Sequence, residues 1–141
     1  MKIVIGSDHG GFEMKEHVLA FLNGEGHETQ DVGCYSKDSV DYPVIAEKVC
    51  AAVKSDSDSL GILICGTGIG MSLAANRHRE IRAALCHEAY TAKMSREHNN
   101  ANILCLGGRV LGVEVALDIV RAWLTTSFAG GRHQRRIDMF S

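Results

Sequence analysis

The 141-residue sequence has neither an excess of positive charge nor a long apolar segment. Its formal net charge is −2, whereas a nucleic-acid-binding domain usually carries a basic stripe. No stretch approaches the ~18 apolar residues that a membrane helix needs. The first apolar run is short and is broken by Gly6, unlike that of a signal peptide. We therefore expect no nucleic-acid partner and no membrane partner.

The sequence also lacks paired cysteines and metal-ligand spacings. Its five cysteines are odd in number, widely spread and without a C-x-x-C pair, which favours reduced thiols in a cytoplasmic protein. None of its seven histidines forms an H-x-x-x-H pair or a Cys/His pair with ligand spacing. We therefore expect neither a metal ion nor an organic cofactor.

Short apolar segments alternate with helical segments along the chain. The pattern predicts helices around Phe12–Leu22, Val44–Val53, Gly70–Asn76, Glu88–Glu97 and Val113–Trp123, and strands at Ile3–Gly6, Thr29–Val32, Leu60–Cys65, Ile81–Cys86 and Ile103–Leu106. Five such repeats favour an α/β three-layer sandwich, in which a five-stranded parallel sheet has Rossmann-like topology. An Arg-rich tail helix is expected at the C-terminus. No linker or repeat divides residues 1–141, so we predict one domain.

A glycine-rich loop follows the third predicted strand. Successive N–H groups in Gly66–Gly70 can form an anion cradle at a helix N-terminus. Met71 stands where a dinucleotide motif needs glycine and where a cysteine phosphatase needs arginine. A thiol at a helix N-terminus ionises more readily than a free one, so Cys65 is a candidate proton acceptor. The alternative is that Cys65 only ends a core strand.

Three further groups of polar residues could carry chemistry. Asp8 and His9 follow the first strand, where ligands of parallel sheets bind, although Asp8 could be only a helix cap. His98 and Asn99 lie at a helix end, where a histidine could serve acid–base chemistry or only favour the helix dipole. Arg109 and the tail arginines could bind a phosphate, because guanidinium groups match its geometry. In a tail helix Arg132 and Arg136 would lie on one face. The alternative is a basic tail exposed to solvent.

In combination, these segments resemble the type B ribose-5-phosphate isomerases and their sister sugar-phosphate isomerases. The matching segments run in order along the chain: Gly6–Gly11, Asp41–Pro43, Ile64–Gly70, Ala74–Asn76, Ser95–Asn99, Gly108–Arg109 and Gly131–His133. Some members of this family use a glutamate in the glycine-rich loop. Met71 occupies that position here, so this sequence resembles the subgroup that uses the cysteine.

The resemblance implies a role for each candidate residue. Cys65 would be the general base, His98 the acid that opens the sugar ring, and Thr67 a hydroxyl near the migrating protons. Backbone amides would hold the enediolate, and side chains would contact the sugar and its phosphate. The amides are those of Gly66, Gly68, Ile69 and Gly70; the sugar and pocket contacts are Asp8, His9, Tyr42 and Asn99; the phosphate contacts are Arg109, Arg132 and Arg136, with His9 assisting them.

The implied reaction is the metal-independent interconversion of ribose 5-phosphate and ribulose 5-phosphate, a step of the pentose phosphate pathway. Two alternatives remain: an isomerase of allose 6-phosphate or galactose 6-phosphate, and a non-catalytic module that binds a phosphorylated metabolite. The resemblance also implies a homodimer, or a dimer of dimers. His98, Asn99 and the arginines of one subunit would then face Cys65 of the other.

Overall fold

A computed structural model describes the whole chain, from Met1 to Ser141, as a parallel sheet with helices on both faces. Its strands are β1 (Lys2–Ser7), β2 (Glu28–Asp31), β3 (Ser59–Cys65), β4 (Ala83–Leu85) and β5 (Ile103–Gly107), and their order in the sheet is β2-β1-β3-β5-β4. The helices are α1 (Phe12–Gly24), α2 (Tyr42–Ser55), α3 (Ile69–Ala75), α4 (Ala89–Glu97), α5 (Val113–Leu124) and α6 (Arg132–Asp138). The predicted α/β fold class is confirmed, and the predicted tail helix is α6. No helix combines the length and apolar character needed to cross a bilayer.

The sheet separates two apolar clusters, which explains the continuous apolar run of β3. Side chains alternate between the faces of a strand. Ile62 and Ile64 therefore pack with α1 and α5, whereas Leu63 and Cys65 pack with α2 and α3. All four of these residues are buried. A central strand covered on both faces needs apolar residues at successive positions.

The expected fourth core strand, Ile81–Cys86, is wrong in its length and its place. Only Ala83–Leu85 pairs with β5, and this short strand forms the edge of the sheet. The Asn76 side chain occupies the open side of Ala83, accepting from its N–H at 2.8 Å and donating to its carbonyl at 3.0 Å. Ile81 and Cys86 are buried although they lie outside the strand, so the apolar run in the sequence is longer than the strand itself.

The loops after β1, β3 and β5 meet at the carboxyl edge of the sheet. In the register, Ser7 lies opposite Ile64, and Cys65 lies opposite Gly107. The loops approach closely because glycines line them: a Cβ on Gly10 would stand 3.3 Å from the amide nitrogen of Gly66. This edge therefore brings the segment after β1 against the glycine loop, defined as Gly66–Gly70.

Candidate active site

Cys65 ends β3 and its sulfur lies at the start of the glycine loop. The residue is only 5% exposed. Its Sγ accepts a hydrogen bond from the Gly68 amide at 3.1 Å. Gly68 has a φ of 81°, and a Cβ there would stand 3.0 Å from the backbone of Leu106. A glycine is therefore required for the turn that directs this amide at the sulfur.

Several amides of the glycine loop have no acceptor in the chain. Those of Gly66, Thr67 and Gly70 make no hydrogen bond. The amides of Gly68 and Ile69, which were also expected to hold the enediolate, instead donate to Cys65 Sγ at 3.1 Å and to Thr67 Oγ1 at 3.3 Å, so this part of the prediction is wrong for the free chain. The first N–H groups of a helix have no partner within the helix, and here they lie beside a thiol. Free amides that converge near one point can stabilise an oxyanion.

His9 and Arg109 line a cavity of about 340 Å³ next to this loop. His9 Nδ1 accepts from the Val40 amide at 3.2 Å, so the proton of the neutral ring is on Nε2. The Arg109 side chain passes along Gly66 of its own chain, so the expectation that Arg109 faces the Cys65 of a partner is wrong. It forms no ion pair in the chain. A free guanidinium and an imidazole N–H together suit an anion.

Asp8 and Tyr42 complete this first group of predicted residues. Asp8 Oδ1 caps the short helical turn after β1 by accepting from the Gly11 amide at 3.1 Å. The cap interpretation is therefore right for one carboxylate oxygen, while Oδ2 makes no hydrogen bond within the chain. Tyr42 begins α2, and its ring lies against Gly70, where a Cβ would stand 2.6 Å from the ring.

The other predicted residues form a second group, where the end of α4 meets α6. The His98 ring stacks on His133 with centroids 4.2 Å apart and planes 11° apart. Arg132 and Arg136 are exposed on α6 without ion-pair partners, and Asn99 is also exposed. Partial desolvation, and then the nearby charges of His98 and the two arginines, lower the pKa of His133. The second group is therefore rich in positive charge and accessible to an anion.

Within one chain, the two groups lie at opposite ends of the strands: the first at the carboxyl end of the sheet and the second at its amino end. Cys65 is paired with the last residue of β5, Gly107, whereas His98 precedes the first residue, Ile103. With a strand rise of ~3.3 Å per residue, these two levels are about 13 Å apart. A single chain therefore does not bring His98 to Cys65.

Three residues near these groups were not among the predicted site residues. Lys37 lines the cavity beside His9, His133 stacks on His98, and Lys15 is completely buried beneath the segment that follows β2. The sequence did contain an indication that Lys15 is buried, because it lies three and seven residues before Val18 and Leu22 and so shares the buried face of α1 with them. A lysine within an apolar stripe is seldom buried without a partner.

The chain contains no group of three or more His, Cys, Asp or Glu side chains arranged to hold a metal ion. Met71, which was expected to stand where some members of the family have a glutamate, is fully buried in the apolar cluster between the sheet and helices α2 and α3. It contributes packing rather than a polar group at that position.

Known proteins match this chain over nearly its whole length. A family model described as "Ribose/Galactose Isomerase" matches residues 3–140. Ribose-5-phosphate isomerase B of Escherichia coli K12 is 47% identical over 97% of this chain and 92% of its own length.

Solved structures give the same result. The Clostridium thermocellum ribose-5-phosphate isomerase B has a TM-score of 0.96 and 54% identity, covering 99% of this chain and 94% of its own. The Mycoplasma genitalium ribose-5-phosphate isomerase B, solved with bound ribulose 5-phosphate, has a TM-score of 0.94 and 43% identity, covering 98% and 92%.

Proposed function

Because the chain belongs to the ribose/galactose isomerase family, we propose that it interconverts ribose 5-phosphate and ribulose 5-phosphate. The E. coli relative is named for this activity, and the M. genitalium relative was solved with the ketose product. The observation that carries the proposal is the Cys65 sulfur beside unpartnered amides of the glycine loop. Five free cysteines fit a reducing compartment, and we propose the cytoplasm.

Isomerisation by this route is a proton transfer between two carbons. The Cys65 thiolate removes the proton from C2 of the open-chain aldose, which gives an enediolate, and returns a proton to C1. Free amides at Gly66, Thr67 and Gly70 are the donors for the enediolate oxygen. Each such donor is worth roughly 2.7–4 kcal/mol in the transition state, so they can supply much of the stabilisation. The Thr67 hydroxyl transfers the proton between the two substrate oxygens.

The sugar must first be opened and held by its phosphate. His98 donates a proton to the ring oxygen as the ring opens. Arg109 with His9, and Arg132 with Arg136, bind the phosphate from two sides. Their contacts lie away from the reacting carbons, so their binding energy serves to position the substrate.

The complete site combines two copies of the chain. In one chain His98 lies before the first residue of β5, whereas Cys65 lies level with its last residue, which is about 13 Å farther along that strand. We therefore do not expect these two side chains of one chain to act on the same pentose. Ile69 and Leu73 are four residues apart on α3 and are 52% and 57% exposed beside the glycine loop. Exposed apolar residues that cluster mark an interaction surface. We infer a homodimer, alone or paired into a dimer of dimers, in which each site takes Cys65 from one subunit and His98, Asn99, Arg132 and Arg136 from the other.

The test is a direct assay of ribose 5-phosphate conversion, in parallel with allose 6-phosphate and galactose 6-phosphate. We expect the highest kcat/KM with the pentose, and unchanged turnover after EDTA treatment, since the proposed proton transfer uses only side chains and amides. Higher efficiency with a hexose phosphate would reassign the substrate. Binding of these sugars without turnover would make the chain a binding module instead.

A further inference from the structure

Lys15 is the only charged side chain that is completely buried in the chain. Its ammonium donates to both carboxylate oxygens of Asp31 at 2.8 Å and to the Cys34 carbonyl at 2.6 Å. All its hydrogen-bonding capacity is therefore used on the end of β2 and the segment that follows.

The contacts of Lys15 join that segment to the carboxyl end of β1. Asp31 Oδ1 also accepts from the Gly33 amide at 2.9 Å. Ser7 donates its amide to the Gly33 carbonyl, and Cys34 donates its amide to the Ser7 carbonyl, each at 2.7 Å. Ser7 directly precedes Asp8 and His9, so the ion pair fixes the backbone from which these two residues project.

The same segment reaches His9 from its other end. The Val40 amide donates to His9 Nδ1 at 3.2 Å. Since an acceptor nitrogen carries no proton, this contact selects the tautomer with the proton on Nε2. Residues 33–40 thus run from the Lys15 anchor at one end to the His9 ring at the other.

Stability alone is a weak reason for a lysine at this position. Removing the Lys15 ammonium completely, and the Asp31 carboxylate largely, from water is expensive, and well-packed apolar residues often replace a buried ion pair without loss of stability. A buried pair does fix one backbone arrangement, because few other arrangements satisfy both charges. The benefit therefore lies in the geometry of the segment that Lys15 holds.

We propose that Lys15 is a positioning residue, which acts through residues 33–40 to hold His9 as the Nε2–H tautomer facing the phosphate of the substrate. This inference rests on the proposed function for the identity of the ligand. The tautomer itself is a property of the free protein and can be observed without substrate.

The first experiment compares Lys15→Met with Lys48→Met, a control at an exposed lysine of α2 without a hydrogen-bonded or ion-paired partner. Long-range ¹H–¹⁵N NMR distinguishes a protonated from an unprotonated ring nitrogen, and the signals of His9 are identified by their absence in His9→Asn. The spectra are recorded about two pH units above the ordinary histidine pKa of ~6.5, where the ring is neutral. We expect the parent protein and the control to show one protonated Nε2 and one bare Nδ1. Lys15→Met should show averaged signals from both tautomers.

Steady-state kinetics on the same proteins give an independent result. We expect Lys15→Met to raise KM for ribose 5-phosphate about tenfold with a smaller change in kcat, because the substrate phosphate loses an oriented donor. If the single variant does not fold, Lys15→Met with Asp31→Asn removes both charges and avoids an unpaired one. Circular dichroism establishes that the variants compared are folded.

Unchanged His9 signals in a folded Lys15 variant would overturn the inference, as would a mixed tautomer in the parent protein. Absence of turnover in the parent protein would instead contradict the proposed function. The two failures are therefore distinguishable.

Discussion

Replacing Cys65 by serine tests the base with a small structural change. The serine hydroxyl can still accept from the Gly68 amide, which donates to the sulfur at 3.1 Å. Serine is not ionised near neutral pH, so the proton acceptor is lost. Removing a general base costs about 10²–10⁴-fold in rate, and we expect kcat of Cys65→Ser to fall by this amount.

The structural cost of the same change is small by comparison. Even complete loss of the Gly68 hydrogen bond would cost about 0.5–1.5 kcal/mol, against a typical stability of 5–15 kcal/mol for a single domain. Cys65→Ser should therefore remain folded, as judged by thermal unfolding monitored by circular dichroism.

A matched control is available in Cys50, a fully buried thiol of α2. Burial raises the pKa of Cys50 to about 11, so this thiol is protonated at neutral pH. Cys50→Ser should leave kcat unchanged while lowering the melting temperature, because position 50 in the same apolar cluster lacks an amide donor such as the one Gly68 offers at position 65. The assay is the initial rate of ribulose 5-phosphate formation at saturating ribose 5-phosphate. A Cys65→Ser rate within about threefold of the parent rate would refute the assignment of the base.

Substitutions at His98, His133 and Gly68 test other parts of the site. His98→Asn should slow the conversion of ribose 5-phosphate, whose ring must be opened. It should not slow the exchange of the C1 hydrogen of ribulose 5-phosphate with D₂O, followed by ¹H NMR, because this substrate is already open; equal loss of both rates would contradict a ring-opening role. The pKa of His133 is lowered from 6.5 in the folded chain, so the unfolded chain binds this proton more readily, and the free energy of unfolding should fall as the pH drops below about 6.5. His133→Gln should reduce that fall in denaturant unfolding measured from pH 8 to pH 5, and an identical pH profile would contradict it. Gly68→Ala should abolish most activity, because its φ of 81° and the nearby Leu106 backbone both oppose a Cβ. Gly26→Ala is the control, with a φ of 83° and open space around it, and should cost only about 1–2 kcal/mol of stability; equal activity in the two variants would contradict the required turn.

The sequence predicted those helices and strands whose apolar residues form a recognisable pattern. The apolar run before Cys65 identified a central strand, and the glycines after it identified the loop at the carboxyl edge. The length of β4 could not be predicted, because Ile81 and Cys86 are buried outside the ladder and Asn76 closes the edge from another element. Such an edge depends on contacts between residues distant in sequence.

The site was predicted as a set of residues but not as an arrangement. Motif spacing located Cys65 and the tail arginines, whereas the placement of Cys65 and His98 at opposite ends of β5 follows from the strand register and the position of α4. Lys15 was missed because a helical lysine usually lies at the surface, and only tertiary structure brings Asp31 and Cys34 to it. The roles assigned to these residues stay predictions.

A mixing experiment distinguishes sites shared between two copies from sites within one chain. We propose that one site takes Cys65 from one copy and His98 with Arg132 from another. Cys65→Ala and the double variant His98→Asn with Arg132→Met are prepared separately, unfolded together in equal amounts, refolded, and assayed with ribose 5-phosphate at a concentration below KM. In a two-fold symmetric dimer, half of the random pairs are mixed and each mixed pair has one intact site, so we expect about a quarter of the parent activity. Activity no higher than the average of the two separate variants would contradict it.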